Sequence, residues 1–127
     1  MPLHYQATAL TASGDTTKTK IDTITVPKGA RQLVGIIQYH CAGAALTTVE
    51  NLTGIIQLES DDVKLQPMTI PLDVIAIVGT GAVAYVPPMR PIGMAIQAGA
   101  DIDVYVTLDL AQTGALKSRV VFVWDME

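Results

Sequence analysis

"DIDVYVTLDL", Asp101–Leu110, alternates acidic or polar with apolar side chains along its whole length. In an extended chain, successive side chains point to opposite sides. Ile102, Val104, Val106, Leu108 and Leu110 therefore share one face, and Asp101, Asp103, Tyr105, Thr107 and Asp109 share the other. Period two with no i, i+3, i+4 pattern is the mark of a half-buried strand, one side on a core and the other toward solvent or a partner.

Downstream, Lys117–Trp124 sets Val120, Phe122 and Trp124 against Arg119, Val121 and Val123. Both faces are largely apolar, which suits a central strand or one covered by a neighbouring subunit. "AQTGA" between the two segments offers Gly114 for a tight turn, so the spacing predicts a hairpin over Ile102–Trp124.

Upstream, Ile21–Val26 is rich in threonine and β-branched residues and stops at Pro27-Lys28-Gly29, a turn signal. Arg31–Cys41 follows as the next strand. Its "GIIQ" at Gly35–Gln38 recurs nineteen residues later at Gly54–Gln57. Alternation puts Leu33, Gly35, Ile37, Tyr39 and Cys41 on one face, and Leu52, Gly54, Ile56 and Leu58 on one face of the second copy. Each glycine leaves room for close approach of another group. Because "YHCAG" and "LESDD" diverge at once, the match reads as convergent strand composition rather than duplication.

The intervening "AGAALTTVEN" reads as a loop with one helical turn, or as a short strand. Met68–Ile70 and Leu72–Val78 are expected strands on either side of Pro71, which fits an edge or a bend. Gly79-Thr80-Gly81 turns the chain into Ala82–Val86, and "PPMRP" at Pro87–Pro91 forms a stiff corner before Ile92–Gln97. Close-spaced strands, Gly/Pro punctuation and almost no helical periodicity predict one all-β domain over residues 1–127, an antiparallel sandwich or barrel of about eight strands. The Thr-rich stretch within residues 1–20 is left as an extended or mobile arm, or a loop.

Composition narrows the function. Hydrophobic residues make up 50% of the 127-residue chain and charged residues only 16%, against about 25% charged in average globular proteins. A 13.5 kDa domain with so thin a polar coat implies that something besides water covers part of its surface. The net charge of -4, with no cluster of Lys or Arg, argues against direct nucleic-acid binding. Met1–Leu10 has no basic-then-apolar signal, so secretion by a signal peptide is not expected. The uncharged run Val74–Met89 is broken by Gly79, Gly81, Pro87 and Pro88 and is too short for a transmembrane segment of about 20 residues.

Catalytic and metal constellations are not evident, and no cofactor is expected. His40 and Cys41 are adjacent but point to opposite faces of a strand, so they do not form a nucleophile-base pair. His4 is the only other histidine, and Cys41 the only cysteine, which leaves no metal-ligand spacing and no disulfide. Asp101 and Asp103 share a strand face that a calcium ion could bridge, although a solvated edge is the simpler reading. Asp61-Asp62 reads as a turn. Gly79-Thr80-Gly81 lacks the rest of a phosphate-binding loop. Scattered tyrosines such as Tyr85 and Tyr105 leave a carbohydrate-binding, lectin-like module as the alternative function.

The polar N-terminal stretch, the opening strands "IDTITVPKGARQLVGIIQYH", the corner "VPPMRPIGM" and the closing strands "DIDVYVTLDL" and "RVVFVW" together resemble a single jelly roll of viral capsid and decoration proteins. The resemblance implies a non-enzymatic virion subunit, made in the host cytoplasm. Such a subunit self-assembles into trimers, pentamers or hexamers, with other virion proteins as further partners. Unlike many small capsid proteins, Met1–Lys20 has no basic arm for a genome. Candidate interface positions are Met89, Met94, Val121 and Val123, apolar residues at a corner, on a following strand and on the outer side of the last strand, with a pure core role as the alternative for each.

Overall fold

The computed structural model describes residues 2–9, 11–12, 16–41, 54–60, 68–71, 77–78, 89–109 and 117–127. These form strands β1 Leu3–Ala7, β2 Thr11–Ala12, β3 Thr19–Thr25, β4 Ala30–Cys41, β5 Gly54–Glu59, β6 Met68–Pro71, β7 Ile77–Val78, β8 Arg90–Ala95, β9 Asp101–Leu108 and β10 Lys117–Met126. No helix occurs among the described residues.

Two sheets pack face to face. In the first, β10 and β4 are central, β1 and β2 lie along the free side of β10, and β7 and β8 along the free side of β4. The second has the order β3-β9-β5-β6. All pairings are antiparallel except the short one of β7 with β4. The chain alternates sheets: β1 and β2 in the first, β3 in the second, β4 back in the first, β5 and β6 in the second, then β7 and β8, β9, and β10. That winding is a jelly roll in which β1 with β2, and β7 with β8, each share one column.

The expected Ile102–Trp124 hairpin is not formed. β9 lies between β3 and β5, while β10 lies between β1 and β4 in the opposite sheet. A strand apolar on both faces gains more from flanking strands and cover in a second sheet than from pairing with β9, whose edges β3 and β5 already occupy. Gly114, proposed for the turn, is outside the described residues, as are residues 42–53, residues 72–76 of the predicted strand Leu72–Val78, the predicted strand Ala82–Val86, and residues 87–88 of the predicted corner Pro87–Pro91, whose Arg90 and Pro91 instead open β8.

The alternating face of β9 becomes the core. Ile102, Val104, Val106 and Leu108 are buried against Leu33, Ile36, Val120, Phe122 and Trp124 of the other sheet. Phe122 and Trp124, two positions apart on β10, stack with ring centroids 5.6 Å apart, and the Trp124 indole N–H donates to Gln6 Oε1 at 3.1 Å. Where the sequence left an arm, β1 and β2 supply β10 with its second neighbour.

The two "GIIQ" copies are used in opposite phase. In β4, Ile36 and Gln38 face the core; in β5, Ile56 faces it and Gln57 does not. The predicted β4 face is corrected as well: Leu33 is a core residue, whereas Gly35 pairs with Val123 and Ile37 with Val121 on the outer side. An irregularity at Val34, which β10 skips between its Val123 and Trp124 pairings, shifts the alternation there. Both glycines are required by close approach, since a Cβ at Gly35 would strike the Arg90 carbonyl oxygen and one at Gly54 the Thr107 carbonyl oxygen.

Candidate functional site

The outer faces of the two sheets differ in chemistry. On the β3-β9-β5-β6 sheet, the acidic face of β9 is tied into a polar ladder. Thr25 Oγ1 donates to Asp101 at 2.7 Å and Thr23 Oγ1 to Asp103 at 2.6 Å. Lys20 lies 3.1 Å from Asp103. The Thr23 hydroxyl and, after it, Lys20 hold the Asp103 carboxyl below its ordinary value despite some burial. Lys18 is bound to Glu59 of β5 at 2.7 Å and sits 4.4 Å above the Tyr105 ring of β9. This face is built to meet water.

Asp101 and Asp103 each spend an oxygen on a threonine hydroxyl, and no group of three or more His, Cys, Asp or Glu side chains that could hold a metal ion occurs among the described residues. Tyr105, considered for sugar stacking, has its ring covered on one side by Lys18. Tyr85 is outside the described residues.

The outer face of the other sheet is apolar at its centre. Strand pairing puts Tyr5, Val123 and Gly35 in one row and Ala7, Val121 and Ile37 in the next. Met89 fills the space that Gly35 leaves, because a Cβ on Gly35 would meet its Cγ at 2.9 Å. Leu3, Tyr5 and Met89 are 48%, 60% and 40% exposed, the large exposed hydrophobic side chains of the described chain. An antiparallel sheet with a solvated outer face ordinarily carries polar residues there.

Of the four positions expected at an interface, Met89 is exposed on this face and Val121 half-buried on it. Val123 belongs to the same face but is fully buried, apart from the main core cluster. Met94 packs from β8 against the core. Sequence reasoning missed Leu3, Tyr5 and Ala7. Their period-two spacing was the available signal, obscured because the segment was read as an arm.

A second constellation is internal. His40 Nδ1 lies 2.7 Å from Ser118 Oγ, and His40 Nε2 3.0 Å from Gln38 Oε1. Gln38 Nε2 donates to the Pro71 carbonyl oxygen of the opposite sheet at 3.1 Å. An amide oxygen only accepts, so His40 Nε2 carries the proton and, in the neutral ring, Nδ1 accepts from the serine hydroxyl. His40 and Ser118 are fully buried. The chain of bonds links the sheets and presents no face to a substrate.

An open depression beside β4, β8 and β10 is lined by Arg31, Gln32, Gly93, Ala95 and Asp125, with Arg31 3.6 Å from Asp125. It is shallow and open to solvent, unlike the enclosed, mostly apolar clefts that ordinarily bury a small molecule. Among the described residues no helix is long and apolar enough to cross a membrane.

Compared with protein-family models, characterised proteins and solved structures, the chain matches none. What it does must be argued from the two faces.

Proposed function

We propose that this chain is a non-enzymatic structural subunit that assembles with copies of itself through the apolar outer face formed by β1, β10, β4 and the segment at Met89. The observation that carries the reading is the contrast between the faces: one sheet turns a bonded polar ladder outward, the other Leu3, Tyr5, Val121 and Met89. At about 25 cal/mol per Å² of apolar surface, a patch of a few hundred Å² contributes several kcal/mol before the entropy of association is subtracted. Multiplied over neighbours in a ring or shell, that is enough.

The finer reading is a virion capsid or decoration subunit. It is supported by the jelly-roll winding and by the sparse charge, and it fits a shell that does not hold nucleic acid directly, given the net charge of -4. Fold alone does not dictate function, so the test is direct. Electron microscopy of the concentrated protein should reveal rings or closed particles of uniform size. Dispersed monomers throughout, with saturable binding on a glycan array, would overturn the proposal in favour of the lectin-like alternative.

A further inference from the structure

We infer that β1 is a self-pairing edge, which joins two copies across a two-fold axis at Tyr5 and continues the first sheet from one molecule into the next. This rests on the assembly reading above and names one of its contacts.

The backbone of β1 decides which groups are free. Thr8 N–H donates to the Val120 carbonyl at 2.9 Å, and Met126 N–H to the Pro2 carbonyl at 3.1 Å. In an antiparallel pair, residues that bond to the neighbour alternate with residues that face away from it. With Leu3 opposite Asp125, Tyr5 opposite Val123 and Ala7 opposite Val121, the even-numbered residues bond to β10. Leu3, Tyr5 and Ala7 turn their N–H and C=O groups outward. Among the described residues, no other strand pairs with β1.

Natural edges are usually guarded by lysine, proline, a bulge or a covering segment. "LHYQA" contains no lysine or proline, and its register with β10 is continuous. Its side chains also select the occupant. An antiparallel second copy centred on Tyr5 sets Leu3 against Ala7 of that copy and Tyr5 against its own equivalent. Every outward N–H then meets a carbonyl. No Lys, Arg, Asp or Glu occurs over residues 2–9, so the pairing brings no like charges together. Leu3 and Tyr5, 48% and 60% exposed, then extend the apolar rows of both molecules into one continuous surface. A two-fold contact needs such self-complementarity.

The test uses cysteine cross-linking in the full chain with Cys41→Ala, which removes the one native thiol. At the two-fold, a bonded antiparallel pair places Cα atoms about 5.5 Å apart, within disulfide reach. Tyr5→Cys should form covalent dimers on mild oxidation. Leu3→Cys alone should not, whereas Leu3→Cys mixed with Ala7→Cys should. As a second variant, Tyr5→Pro removes an outward donor and leaves the bonds to β10 in place, so a folded Tyr5→Pro chain should associate at least tenfold more weakly by light scattering.

Equal cross-linking at Tyr5→Cys and Leu3→Cys would overturn the register. Particles that persist unchanged in Tyr5→Pro, with no Tyr5→Cys dimer, would overturn the edge contact and leave assembly through the outer face standing. A native chain that is monomeric at every concentration would overturn both.

Discussion

Tyr5 and Val123 lie directly opposite each other on β1 and β10, yet Tyr5 is 60% exposed and Val123 fully buried. The outer face of this sheet therefore has a covered centre and an uncovered margin. Val121, one row away on the same central strand, is half-buried.

Aspartate at these two positions should separate folding from assembly. Val123→Asp buries a charge and should destabilise the monomer by about 4 kcal/mol or more. Val121→Asp should cost about 1 kcal/mol of monomer stability and abolish association at concentrations where the native chain assembles. Urea unfolding and light scattering on the same samples read the two effects.

Gly35→Ala and Gly54→Ala should each destabilise the domain by about 1–3 kcal/mol, because the added methyl meets a backbone carbonyl rather than a yielding side chain. Gly99→Ala is the contrast: space is open around it, but its φ of +86° disfavours a side chain, so about 1 kcal/mol is expected from backbone strain alone. Thermal unfolding checks the order.

The internal bonds from Ser118 through His40 and Gln38 to Pro71 should make the interior intolerant of apolar replacement at one member alone. Gln38→Met removes the inter-sheet bond and should cost about 1–3 kcal/mol. Ser118→Ala should cost a similar amount, and the double variant less than the sum. Denaturant midpoints of the three variants measure the coupling.

Acid should act on the polar face through Asp103. Its folded pKa lies below the ordinary 3.8, first because of the Thr23 hydroxyl. The stability it contributes is therefore complete above pH 3.8 and fades as pH falls through the folded value. Thr23→Val should raise the Asp103 pKa toward 3.8 and lessen the loss of stability in acid. A carboxyl-carbon NMR titration of both proteins reads the shift.

Much of the architecture was legible because period two is unambiguous where one face is buried. Asp101–Leu108 gave both its strand and its core side from alternation alone. Three features were not. The sheet that each strand joins depends on non-local pairing, so β9 and β10 looked like a hairpin although they sit in different sheets. The phase of "GIIQ" depends on neighbours, which select Ile36 in one copy and Ile56 in the other. Leu3, Tyr5 and Ala7 are too few to outweigh the threonine-rich residues after them, and only pairing with β10 gives their alternation meaning. Of the proposed interface positions, Val121 and Val123 were read from the two apolar faces of β10, whereas nothing local could tell that Met94 packs inward.

Self-assembly through the outer face is read most directly from the solution mass of the native chain and of Val121→Asp, measured in parallel by light scattering across a concentration series. The native chain should grow from monomer to a discrete larger species while Val121→Asp, still folded, remains monomeric. A native chain that never exceeds 13.5 kDa, or a Val121→Asp chain that assembles as the native one does, would contradict it.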